Sequence, residues 1–134
     1  MEKCLVTLAA APLDSGILNR VARYFGWDVL HVRSLASLEP IDSSRVAAIL
    51  FDREAAGHTW LDAASSLRRM KPGVRLVACH GFFEPVPWPE LAAAGVFHAL
   101  RVPLIESEVH QSLGFVWAED RQRRISPHSV RAAA

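Results

Sequence analysis

Short apolar runs alternate along this chain with longer segments in which apolar and polar residues recur at helical spacing. An apolar run of about four to six residues is typical of a strand buried on both faces of a sheet. We predict such strands at residues 4–9, 29–32, 46–51, 74–79 and 97–102. Apolar residues three and four positions apart predict amphipathic helices between the strands. These helices are expected at residues 14–26, 34–38, 59–70, 90–94 and 106–121.

Polar residues, glycines and prolines support the predicted helix ends. Asp14 or Ser15 can cap the first helix, and Gly26 can end it. Pro40 stops the second helix, and residues 71–73, Lys-Pro-Gly, stop the third.

The helical pattern also predicts which side chains face the core. In the third helix these are Leu61, Ala64, Leu67 and Met70. In the last helix they are Val109, Leu113, Val116 and Trp117.

Strict alternation of strand and helix predicts an α/β fold in which a parallel sheet carries helices on both faces. Five such units in about 120 residues are typical of the flavodoxin-like three-layer sandwich, with strand order 2-1-3-4-5. We therefore expect one domain over residues 1–121. Residues 122–134 are basic and then small, and we interpret them as a C-terminal tail or linker stub.

The composition is that of an ordinary globular domain. The 134 residues are 51% hydrophobic and 22% charged, and the formal net charge is +1. This balance argues against a nucleic-acid surface. Pro12 and Asp14 end the N-terminal apolar run early, so neither a signal peptide nor a membrane span is expected and the protein is predicted to be cytoplasmic. Cys4 and Cys79 lie in apolar runs and are interpreted as buried free thiols, with a disulfide as the alternative.

Three segments of the chain resemble response-regulator receiver domains of the CheY-like kind. Residues 47–52, Ala-Ala-Ile-Leu-Phe-Asp, are similar to the third receiver strand, which ends on the phosphoaccepting aspartate. Residues 91–104 resemble the alanine-rich fourth helix that closes on a glycine, followed by a fifth strand that ends before a proline. Residues 9–12, Ala-Ala-Ala-Pro, occupy the place of the acidic cluster and proline after strand one.

The resemblance places the phosphoacceptor on Asp52, which is retained. The acidic pair that holds Mg²⁺ in receivers falls on Ala9 and Ala10, whose methyl groups cannot ligate a metal. Asp14 is the nearest carboxylate that could substitute for them. The lysine that pairs with the phosphoryl group falls on Val102.

Two further receiver positions are also replaced. The hydroxyl after strand four falls on His80, or on Cys79 if the alignment shifts by one residue. The aromatic switch residue of strand five falls on Ala99. Phosphoryl transfer needs positioning and neutralisation of charge by a metal and a lysine. We therefore predict a degenerate receiver in which Asp52 is a structural carboxylate, without catalysis, metal or cofactor. The alternative is a functional phosphoacceptor receiver of a two-component phosphorelay that uses Asp52.

The loop at residues 79–90 combines aromatic residues with prolines directly after the fourth strand. It is interpreted either as a stiff lid over the acidic pocket or as an interaction surface. The residues of the expected surface are Phe82, Phe83, Trp88, Ala99 and Arg101. A small-ligand site on this loop is the third alternative, and a zinc site formed by His80, Cys79 and Asp52 is a remote one.

The resemblance further implies a protein partner, either a histidine kinase or a downstream regulator. Receivers usually dock or pair through the face made by the fourth helix, the fifth strand and the fifth helix, so a homodimer through that face is a second option. No nucleic acid or membrane partner is expected.

Overall fold

Five parallel strands form one sheet in the order β2-β1-β3-β4-β5, as predicted. The computed structural model describes the backbone of residues 3–133 and the side chains of residues 3–123. The strands are β1 (Cys4–Leu8), β2 (Asp28–Val32), β3 (Val46–Phe51), β4 (Arg75–Gly81) and β5 (Val96–Val102). The helices are α1 (Ser15–Tyr24), α2 (Leu35–Leu38), α3 (Arg53–Ala56), α4 (Trp60–Met70), α5 (Trp88–Ala93) and α6 (Glu106–Ala133). A 3-10 turn at Ser43–Arg45 leads into β3.

The core consists of two apolar layers, one on each face of the sheet. Leu18 of α1 and Leu113 of α6 cover one face. Leu38 of α2, Leu67 of α4 and Leu91 of α5 cover the other. Because β3 is buried along its whole length, its sequence is a continuous apolar run and its bounds match the prediction.

Side-chain caps fix where the helices begin. Asp14 accepts a hydrogen bond from the backbone N–H of Ile17, which makes it the cap of α1, as expected. Thr59 caps α4 in the same way through the N–H of Asp62. Gly26 has a positive φ of 78°, a conformation that closes the segment after α1 at little cost for glycine.

Three predictions about the helices are wrong, in addition to the end of the last helix. The sequence analysis missed α3, which is only four residues long and begins directly after Asp52. Leu61 is exposed, because α4 turns Trp60 inward instead, where its indole packs edge-on against Phe51 at 5.9 Å. Trp117 is 37% exposed and lies at the margin of the core.

The last helix does not end near Arg121 but continues to Ala133. Its first part packs on the sheet through Val109, Leu113 and Val116, as predicted. The interpretation of residues 122–134 as a tail or linker stub stays a prediction, and side chains beyond residue 123 lie outside the described part of the chain. Over residues 3–133, no helix combines the length and the apolar character that crossing a membrane requires.

Candidate functional site

The carboxyl ends of β1, β3, β4 and β5 surround a shallow depression of about 180 Å³. In an open parallel sheet this edge is where ligands and reacting groups are usually held. The side chains and backbone that line it are Ala11, Pro12, Leu13, Asp52, Arg53, Glu54, Cys79, Gly81, Glu84 and Val102. The structure therefore brings together several of the positions that the resemblance singled out.

Asp52 follows β3 and uses both carboxylate oxygens within the protein. Its Oδ1 accepts a hydrogen bond from the backbone N–H of Ala55 at 2.8 Å, which caps α3. Its Oδ2 accepts one from the backbone N–H of Ala10 at 2.8 Å. Asp52 is therefore bonded to a helix N-terminus, one of the two surroundings expected for a carboxylate at this strand end.

The two alanines after β1 carry no side-chain oxygen, and neither lines the depression. Ala9 is buried, and Ala10 is exposed and contributes its backbone N–H to Asp52. Asp14, the nearest carboxylate that could have substituted for them, instead caps α1. Within residues 3–123, no three His, Cys, Asp or Glu side chains lie close enough to hold a metal ion, so the zinc alternative fails as well.

The Mg²⁺ ion that the receiver fold implies does not fit these residues. Mg²⁺ demands a near-octahedral array of hard oxygen ligands and usually takes more than one carboxylate or phosphate. Asp52 presents its oxygens to two N–H donors, and the side chains of Ala9 and Ala10 are methyl groups. Within residues 3–123, no group of three possible metal-ligating side chains is present.

Of the two alternatives at the end of β4, Cys79 is the one that lies beside Asp52. Cys79 is buried and lines the depression, whereas His80 is not among its lining residues. The imidazole Nδ1 of His80 lies instead 3.0 Å from the carbonyl oxygen of Gly81. Burial, with a further contribution from the negative charge of Asp52, raises the pKa of the Cys79 thiol to about 12. The thiol is thus protonated and a poor nucleophile near neutral pH.

Val102, to which the resemblance assigned the lysine position, ends β5 and lines the depression with an apolar side chain. The adjacent Arg101 does not line it, in keeping with the alternation of side chains along a strand. Its guanidinium stacks over the ring of Phe82, 5.5 Å from the centroid, and its Nη2 lies 3.6 Å from Glu108 Oε2. Strand β5 therefore brings no cationic side chain to the lining of the depression.

An ion pair that the sequence analysis missed lies at the wall of the depression. Arg53 Nε donates to Glu84 Oε2 at 3.2 Å, and the N–H of Gly81 donates to Glu84 Oε1 at 3.3 Å. Arg53 also donates to the carbonyl of His58 at 3.0 Å. The sequence indicates this pair only through position, because Arg53 and Glu84 follow the carboxyl ends of two strands. In a parallel sheet the carboxyl ends of the strands lie at the same edge.

The aromatic residues of the β4–α5 loop face solvent and do not cover the depression. Phe83 is 92% exposed, Phe82 is 61% exposed, and Trp88 is 37% exposed. Phe82 and Phe83 pack edge-to-face with centroids 4.8 Å apart. None of the three lines the depression, although Cys79, Gly81 and Glu84 of the same loop do. Ala99, also assigned to the expected surface, is half-buried and packs against the core.

No protein-family model matches the sequence, and no curated protein is similar enough to count as a match. Solved structures do match. A response regulator receiver domain protein from Clostridium thermocellum aligns with a TM-score of 0.68 at 14% identity, over 90% of this chain and 98% of that one. A CheY-like receiver domain protein from Methanospirillum hungatei JF-1 aligns at 0.69 and 14% identity, over 92% and 99%. A response regulator from Thermotoga maritima aligns at 0.70 and 8% identity, over 88% and 99%.

These alignments agree with the strand order of the sheet. The chain has the fold of CheY-like receiver domains, as the resemblance predicted. At such low identities the likeness extends to the fold alone.

Proposed function

We propose that this chain is a signalling domain of receiver fold that acts by binding other proteins and that does not accept a phosphoryl group. In this proposal it is neither an enzyme nor a cofactor-binding protein. The partner is a histidine kinase or a regulator that a receiver domain would contact. The observation that carries the proposal is the engagement of both Asp52 oxygens by backbone N–H groups.

The chemistry of the depression supports the loss of phosphoryl transfer. An acyl phosphate on Asp52 would have to displace the hydrogen bond from Ala10 or the cap of α3. The charge that develops on the phosphoryl oxygens is normally neutralised by a metal and a cationic side chain. Here the corresponding positions are Ala9, Ala10 and Val102. These residues would leave the charge on the phosphoryl oxygens without a nearby counter-charge.

The exposed aromatic residues of the β4–α5 loop support the binding role. Phe82, Phe83 and Trp88 place large apolar surfaces in solvent, and aromatic residues of this kind dominate the energy of protein interfaces. Arg101 extends the same surface by stacking on Phe82. Pro85 and Pro87 restrict the conformations of the loop, so the loop loses less conformational entropy when a partner binds.

Comparative capture from an extract of the source organism tests the binding role. The whole chain is immobilised, and captured proteins are identified and quantified by mass spectrometry. The variant Phe83→Ala should lose most of the captured partner, because the ring contributes little to the fold and much to the surface. The matched control is Phe115→Ala, which removes a ring that is 58% exposed on α6. Equal capture by Phe83→Ala and the natural chain would argue against this surface.

The rival function is that of an active receiver. It is favoured by one observation, namely that Asp52 lines the depression at the carboxyl end of β3. Beryllofluoride with Mg²⁺ imitates the phosphorylated aspartate, so a receiver that retains the chemistry should be stabilised against heat. We expect no change in melting temperature for this chain, and a Mg²⁺-dependent increase that Asp52→Asn abolishes would favour the rival.

A further inference from the structure

A second cavity, of about 290 Å³, lies at the carboxyl ends of β1 and β2, beside the start of α1. Its polar side chains are Thr7, Ser15, His31 and Arg33. The rest of its wall is apolar and consists of Ala9, Ala10, Ala11, Pro12, Leu13 and Val32. Asp52 does not line it, so the cavity is distinct from the depression at the end of β3. Its volume is close to the lower limit of about 300 Å³ for small-molecule sites.

The strand register places the polar side chains on the side of the sheet that α1 covers. Thr7 of β1 lies opposite His31 of β2, and paired residues of neighbouring strands point to the same face. Leu5 and Ala9, two positions before and after Thr7, belong to the core layer that includes Leu18 of α1. The threonine and the histidine are therefore held together beneath the start of that helix.

The hydroxyl of Thr7 fixes the orientation of the His31 ring. Thr7 is buried, and its Oγ1 lies 2.5 Å from Nδ1 of His31. The imidazole itself is exposed. Its other nitrogen, Nε2, makes no hydrogen bond to any atom of residues 3–123. That nitrogen can carry a proton and donate it to a ligand in the cavity.

Arg33 gives the cavity a positive charge without a matching carboxylate. Among the described residues that line the cavity, none is Asp or Glu. Arg33 is exposed and forms no ion pair with a carboxylate in the part of the chain whose side chains are described. Asp14, which precedes Ser15, instead uses its carboxylate to cap α1 through the N–H of Ile17. The cavity therefore favours an anion.

We infer that this cavity binds a small organic acid with a single carboxylate and a short apolar body, held by Arg33 and His31. One permanent cation in the lining matches one negative charge, and the planar donor fork of arginine matches the two carboxylate oxygens. The hydroxyl of Ser15 adds a neutral donor, and the apolar wall accommodates the body of the ligand. This inference does not depend on the proposed protein-binding role.

Amide NMR of the isotope-labelled whole chain during titration with benzoate tests this inference. The signals of residues 9–11 and 31–33 should shift and reach saturation, with one site per chain. Benzamide has the same shape without the charge and should bind at least about tenfold more weakly, because the charge-assisted hydrogen bonds to Arg33 are lost.

Two variants and a matched control locate the binding groups. Arg33→Gln should weaken benzoate binding about tenfold, and His31→Gln about threefold, because the histidine contributes a single hydrogen bond. The control is Arg23→Gln, which removes the same charge from an exposed position on α1 that does not line the cavity. The control should bind benzoate as the natural chain does.

The site would be overturned by any of four results. They are the absence of saturation at tens of millimolar benzoate, shifts confined to other parts of the chain, equal affinity of Arg33→Gln and the natural chain, and an equal loss in Arg23→Gln. Benzamide that binds as tightly as benzoate would contradict recognition of a carboxylate. Inorganic phosphate that binds here more tightly than benzoate would contradict the match to a single charge. The amide spectrum of each variant before titration identifies any loss that comes from unfolding.

Discussion

The carboxylate of Asp52 accepts a hydrogen bond from the backbone N–H of Ala10 at 2.8 Å. Its second oxygen caps α3 through the N–H of Ala55. One side chain thus joins the loop after β1 to the segment after β3. In this chain the aspartate at the end of β3 therefore contributes two hydrogen bonds to the fold.

Replacing Asp52 should therefore destabilise the protein. Asp52→Ala removes a helix cap and a second hydrogen bond, so we expect the free energy of unfolding to fall by about 1–3 kcal/mol. Asp52→Asn should cost less, because the amide oxygen can still cap α3. Urea denaturation measures both changes, with Glu54→Ala as the control because Glu54 is exposed and lies in the same short helix. An Asp52→Ala variant as stable as the control would contradict the structural role.

Cys79 should resist thiol reagents in the folded protein. Its pKa is raised from 9.0 to about 12, so at pH 8 its thiolate fraction is on the order of a thousandfold lower than that of an ordinary thiol. In the Cys4→Ser variant, Cys79 is the one remaining cysteine, and Ellman's reagent then reports on it alone. Labelling should become fast only on unfolding, and fast labelling of the folded variant would contradict the burial.

The same thiol should make stability depend on pH in the alkaline range. Below about pH 9 it is protonated in both the folded and unfolded states and contributes no pH dependence. Between about pH 9 and 12 it ionises in the unfolded state but not in the folded one, so stability falls as pH rises, by up to roughly 1.4 kcal/mol per pH unit. Urea denaturation at pH 8 and at pH 10 measures how much the free energy of unfolding falls between the two pH values. This fall should be smaller for Cys79→Ala than for the natural chain. An identical loss in both proteins would show that Cys79 does not titrate in this way.

Two glycines offer a matched pair of stability tests. Gly95 has a φ of +96°, and a Cβ there would lie 2.9 Å from the Arg68 guanidinium, so Gly95→Ala should cost about 1–2 kcal/mol. Gly114 lies within α6, and a Cβ there would be 3.6 Å from Phe25 Cζ, an ordinary contact. Gly114→Ala should stabilise the protein by about 0.5–1 kcal/mol because alanine favours the helix. Thermal or urea unfolding measures the change in the free energy of unfolding for each variant. A change of the same sign in both would contradict the different backbone conformations assigned to the two glycines.

Much of the fold was predictable because the central strands are buried on both faces. The run from Val46 to Phe51 is entirely apolar for that reason, and its bounds were correct. The four residues of α3 are too few to show periodicity, so their helix depends on the Asp52 cap. The hydrophobic pattern could not predict that Trp60 faces the core in place of Leu61. Both residues are apolar, and packing against Phe51 decides between them.

The candidate site was predictable in part. The identity of Asp52, Ala9, Ala10 and Val102 followed from motifs at strand ends, which a sequence displays directly. The sequence did not decide whether Cys79 or His80 lies beside Asp52. A shift of one residue in the alignment moves a side chain to the opposite face of the strand. The ion pair between Arg53 and Glu84 joins segments 31 residues apart and exists only in the folded chain.

The most direct test of the central claim is the mass of the intact protein after incubation with acetyl phosphate and Mg²⁺. An active receiver domain treated in parallel serves as the positive control. Our account predicts that the natural chain gains no phosphoryl group under conditions in which the control does. A Mg²⁺-dependent gain of one phosphoryl group, absent from Asp52→Asn, would contradict it.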